Sequence, residues 1–183
     1  MTKDPSTRSR DRLTAAALPD QLGGLSRRET AQHAQHPEMG ASVAYGKGEI
    51  TGRVALYDRG LDNIPDGPES STIYDEINRV LADLGERVEI GMYQSAHIVD
   101  QYLTRESGRS VNFFCVEYEY HLHGTRIGAA VCFAGHEGLI VMVSCEQPLP
   151  GADTDTRRAF MADLAAFLAN RTSDSAGRAA ASG

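Results

Sequence analysis

Apolar residues recur along this chain with two distinct periods, and the two periods divide it into strands and helices. From Val111 to Cys145 the chain reads as three antiparallel strands in a meander, the first two with a period-two pattern. A two-residue turn at His123-Gly124 sets Tyr120 opposite Ile127, Tyr118 opposite Ala129, Val116 opposite Val131 and Phe114 opposite Phe133. That register gathers a nearly pure apolar set on one face, and a slip of one residue would scatter it. The other face pairs Cys115 with Cys132 and Glu117 with Ala130, then turns polar through Glu119, His121 and His123. A third strand, Leu139 to Cys145, is apolar without alternation, which predicts cover on both faces. Pro148 and Pro150 are expected to end the sheet.

Upstream, Ser42–Tyr45 and Ile50–Asp58 read as strands joined by the turn Gly46-Lys47-Gly48-Glu49, and Ser95–Thr104 as another, followed by a turn at Glu106-Ser107-Gly108. Two segments switch to the helical period. Ile73, Ile77, Val80, Leu81 and Leu84 form one stripe behind an N-cap at Thr72, with Gly85 as a stop or the helix running on toward Val88. Phe160, Leu164, Phe167 and Leu168 form another over Asp155–Asn170, capped by Thr154 or Asp153. The expectation is an α+β fold: an antiparallel β-sheet of about five to six strands flanked by two amphipathic helices, one on each face. Residues 1–17 read as a flexible N-terminal arm, 18–170 as a single domain and 171–183 as a disordered C-terminal tail.

Charge narrows the choice of partner. The chain of 183 residues carries a net charge of −7. Residues 1–30 are net +2 and residues 171–183 net +1, so residues 31–170 hold −10. An acidic body repels phosphate backbones, which argues against nucleic acid. No stretch supplies the roughly 20 apolar residues of a membrane helix, and the first 20 residues lack a signal-peptide core, so a cytoplasmic location and no membrane partner are expected. Three cysteines without a CxxC spacing fit reduced, buried thiols, although the register makes Cys115 and Cys132 neighbours that oxidation would crosslink.

Two groups of side chains bear on chemistry. Asp58, Asp62, Asp66 and Glu69 cluster with Arg59 in the turn-rich loop after the second strand, beside Arg53. Ile64 occupies a ligand position in that loop, so it is not an EF-hand, and it reads instead as a recognition loop for a protein partner. Glu119, His121 and His123, with His136 in the next turn, form the second group. Zinc needs three or four converging ligands, and a solvated strand end is the plainer account of these residues. His33 and His36 lack a third ligand, Ser42 enters a strand rather than a nucleophile elbow, and Gly46-Lys47-Gly48 has no helix behind it to bind phosphate. No catalytic set and no cofactor are expected.

The order strand–strand–helix–strand–meander–helix, with the phrases Leu22-Gly23-Gly24-Leu25 and Tyr57-Asp58-Arg59-Gly60-Leu61-Asp62-Asn63-Ile64-Pro65-Asp66-Gly67, resembles the PsbP-like fold. That fold occurs in photosystem accessory proteins and in bacterial DcrB-type proteins, many of them exported or lipidated. The resemblance implies an α/β/α sandwich over residues 18–170 and a role in binding or assembling other proteins, with no shared catalytic residues to carry over. The expected function is therefore a non-enzymatic binding or accessory module for a protein partner. The alternatives are a metal-binding protein or enzyme using the His121/His123/His136 edge, and a secretion-system adaptor or immunity-type protein.

Overall fold

The computed structural model describes residues 13–33, 35–104, 111–150 and 154–181, without the side chains of 154 and 172–181. The expected turn at 106–108 and the candidate cap Asp153 lie outside the described residues. Eight strands form one antiparallel sheet that curls into a half-barrel. They are β1 (Gln21–Leu22), β2 (Leu25–Gln32), β3 (Ala41–Lys47), β4 (Ile50–Tyr57), β5 (Ser95–Leu103), β6 (Phe114–Leu122), β7 (Thr125–His136) and β8 (Leu139–Leu149). Their spatial order is β1-β2-β3-β4-β8-β7-β6-β5. Among the described residues two α-helices accompany them, α1 (Ser71–Glu89) and α2 (Thr154–Ala181).

Eight strands overturn the expected sandwich built on five to six. The strands that escape the sequence pattern are β1, only two residues long, and β2. The β2 segment Leu25-Ser26-Arg27-Arg28-Glu29-Thr30-Ala31-Gln32 buries only its first residue and shows no alternation. Backbone pairing with β3 makes it a strand, from Ser26 opposite Gly46 to Gln32 opposite Ala41. In the meander, by contrast, the pairing from Phe114–Phe133 to Leu122–Thr125 is the register that the apolar alternation specifies.

The register also fixes two cores, one on each side of the same strands. On one side, Leu25, Val43, Tyr45, Val54, Leu56, Cys115, Cys132, Val141, Val143 and Cys145 meet Phe160, Leu164 and Leu168 of α2. Gly52 lets α2 approach, because a Cβ there would lie 2.8 Å from the Phe160 ring. On the other side, Val116, Tyr118, Tyr120, Val131, Phe133 and Ile140 meet Ile73, Ile77 and Leu84 of α1. From Gly128 to His136 the central strand β7 is thus buried on both faces, while β8 is buried on the α2 side and half-buried at Met142, Ser144 and Glu146 on the other.

The element ends differ from the sequence reading in four places, one being that β8 runs through Pro148 to Leu149. Ser70, not Thr72, caps α1 by accepting the Ile73 N–H at 3.3 Å, and the helix runs past Gly85 to Glu89. Leu13 and Ala15, inside the stretch expected to be an arm, are buried against the sheet. Arg27 donates to the carbonyls of Leu18 (3.0 Å) and Ala15 (2.9 Å), and the Leu13 N–H donates to Glu137 Oε2 at 3.1 Å. At the other end, α2 continues as helix to Ala181, through most of the expected tail. No helix among the described residues is long and apolar enough to cross a membrane.

Candidate functional site

The loop after β4 is tied down rather than free. Arg59, in the left-handed region at φ 51°, donates to the Glu76 carboxylate from Nε (2.5 Å) and Nη2 (3.0 Å). The Tyr57 hydroxyl donates to the same carboxylate at 2.7 Å, and its pKa is driven upward by burial and by the neighbouring charge. Glu76 thus sits on the apolar stripe of α1 with its side chain only 4% exposed, held by a hydroxyl and a guanidinium. Asp58 accepts the Gly60 N–H, and Asp66 accepts the Glu137 N–H. Gly67 and Gly135 exchange two backbone hydrogen bonds at 2.8 Å. A Cβ on Gly135 would meet the Pro65 carbonyl at 1.8 Å, so only glycine permits that bridge. Asp62 and Glu69 are exposed, as is Arg53, which lies roughly 16 Å back along β4 from Asp58. Arg53 therefore stands apart from the loop along the strand.

The histidine edge divides as well. Glu119 is taken by Arg126 (Nε, 2.7 Å) and by His97 Nε2 at 3.3 Å, and His121 Nδ1 lies 3.0 Å from Ser95 Oγ. His123 leaves the strand at the turn, with φ 49°. His136 stands at the far end of β7, roughly 35 Å of extended chain away, and is buried. Burial holds its pKa below the usual imidazole value, against the opposing pull of Glu137 and Asp66. Among the described residues no three His, Cys, Asp or Glu side chains gather as metal ligands.

The cysteines divide into a bonded pair and a free thiol. Cys115 and Cys132 form a disulfide between directly opposed strand positions, their Cα atoms 4.1 Å apart. This corrects the expectation of reduced thiols at that pair. Cys145 is free and buried, and burial pushes its thiol up to about 11, which leaves it unreactive near neutral pH.

Two surface features remain, neither marked out in the sequence reading. One is a half-open cleft of about 370 Å³ between α2 and the β5–β7 end of the sheet, lined by Tyr102, Glu117, Ala130, Cys132, Arg157 and Met161 among others. The Tyr102 hydroxyl donates to Glu117 Oε1 at 2.9 Å, and burial with that bond pushes its pKa up to about 12. The second is an exposed apolar strip. Of eight large apolar side chains left exposed among the described residues, five belong to one stretch: Ile90, Met92, Ile98, Val99 and Tyr102. Ile90 and Val99 are the most open, at 65% and 53%. The sequence signal for the strip was available: Met92 precedes β5, and Ile98 and Val99 stand side by side within it, where alternation would place one polar residue. The cleft had no such signal, because it exists only where α2 crosses the sheet. No family model matches the chain, and no curated protein matches its sequence.

Proposed function

We propose that this chain is a non-enzymatic binding module for a protein partner, which docks on the β5 edge and the loop leading into it. The observation that carries this reading is that Ile90, Met92, Ile98 and Val99, four of the eight exposed large apolar side chains among the described residues, fall in or just before the edge strand β5, while Tyr102 turns to the opposite face. Scattered exposed apolar residues are ordinary, whereas a grouped set supports an interface. The edge itself favours side-chain contact over strand addition. A bulge interrupts β5 between Ile98 and Asp100, and the Asp100 carboxylate accepts the Gln101 N–H at 2.8 Å. Both features discourage another strand from pairing indiscriminately. The Cys115–Cys132 bond supports a working place in an oxidising compartment rather than the cytoplasm expected from composition.

The test is quantitative capture from native extract with the wild-type chain, a Met92→Lys/Val99→Glu variant and a Leu61→Glu control, Leu61 being exposed elsewhere. A partner retained by wild type and control but lost by the double variant is the expected result. Identical profiles for all three proteins would refute this docking edge.

A further inference from the structure

We propose that the cleft between α2 and β5–β7 is a binding site for a small organic monocarboxylate with an apolar body, a role that does not rest on the protein-docking reading. Arg157 is the decisive residue. Its side chain is only 14% exposed, and it lines the cleft. Its one ionic neighbour among the described residues is Glu117, with Nη2 3.9 Å from Oε2, beyond hydrogen-bond distance. Glu117 meanwhile spends Oε1 on the Tyr102 hydroxyl. A mostly buried arginine side chain whose guanidinium has no hydrogen-bonded acceptor among the described residues is an incomplete arrangement, and a carboxylate completes it with two parallel charge-assisted bonds. Arg157 also stands in the first turn of α2, where the helix dipole favours an anion.

The remaining lining sets the rest of the ligand. Ala130, Ala159, Ala162, Cys132 and Met161 supply small or pliable apolar walls. A volume of about 370 Å³ holds about a dozen non-hydrogen atoms, at the roughly 30 Å³ that a water molecule occupies in the liquid. Glu117, with its side chain 29% exposed beside the guanidinium, adds a like charge that opposes a dianion. The chemistry therefore selects a single carboxylate over a phosphate group.

Phenylbutyrate, with about a dozen non-hydrogen atoms, is the probe, titrated into the full chain by calorimetry and by amide chemical shifts. Saturable binding with shifts at Ala130, Arg157 and Met161 is expected. Arg157→Met, which keeps the apolar stem, should weaken it about tenfold or more, the scale of a lost charge-assisted contact. Ala162→Phe, which fills the cleft from the helix side, should abolish binding, while Arg53→Met leaves it unchanged. Phenylbutyramide, the neutral isostere, should bind about tenfold more weakly, and inorganic phosphate should not compete. Each variant is checked by its melting curve, and the two substitutions act from different parts of the ligand. No binding of phenylbutyrate at millimolar concentration, equal binding by the amide, or an Arg157→Met protein with wild-type affinity would overturn the assignment.

Discussion

Replacing Glu76 with alanine puts the buried constellation on α1 under direct test. The carboxylate accepts the Tyr57 hydroxyl and two Arg59 donors inside a site where its own side chain is almost wholly enclosed. Removing it strands the Tyr57 hydroxyl in the α1-side core, at a cost of about 1–3 kcal/mol for an unpaired buried group. Arg59 loses a bidentate partner, but its side chain is 33% exposed and turns to water, so its share falls toward the lower end of about 1.5–3 kcal/mol. The sum is about 2.5–4.5 kcal/mol, which overlaps the usual penalty for breaking one side of a buried ion pair. In thermal melts of a chain this size, that corresponds to roughly 10 °C. Tyr57→Phe alone should cost about 1 kcal/mol, and the double variant should cost clearly less than the two single losses together. A Glu76→Ala protein within about 1 kcal/mol of wild type, or strictly additive losses, would refute the premise that the three side chains act as one unit.

Two further outcomes follow from groups described above. His136 is buried and kept neutral, so the unfolded chain takes up a proton at higher pH than the folded one. Its contribution is complete above about pH 6.5 and is lost as pH falls through the lowered folded value; urea midpoints at pH 7.5 and 5.5 should show the decline, and His136→Leu should flatten it. The Cys115–Cys132 bond spans 17 residues, so reduction should lower stability by about 3 kcal/mol on the loop-entropy relation. Alkylation of the natively purified, denatured chain should label one cysteine without reductant and three with it; three labelled at once would disprove the bond.

The parts of the fold legible in the sequence are those where burial on one face alone sets the pattern. The β6–β7 register could be read because Phe114, Val116, Tyr118 and Tyr120 alternate with polar residues or cysteine. β2 could not, since Arg27 to Gln32 lie at an edge where backbone pairing, not burial, makes the strand. Pro148 misled for a related reason. It continues β8 opposite Ile127, at a point beyond the last β4 pair at Thr51–Glu146, so no neighbour on that side requires its missing N–H. Glu76 was legible in principle, as a carboxylate on an otherwise apolar helical stripe between Ile73 and Ile77. The Arg157 cleft was not, because it depends on where one helix lies across strands far from it in sequence.

The seam between β4 and β8 governs how the molecule assembles. In the sheet of the described residues it is the junction joining the four early strands to the later meander, and it brings together residues as distant as Thr51 and Glu146. Local hairpins on either side form without it, but the chain must close a loop of more than 80 residues before the sheet is whole. Such long-range closure makes folding slow relative to helical proteins of equal size. Until it happens, the inner borders of both half-sheets are unpaired, which is the interval when a nascent chain is most open to association with its neighbours.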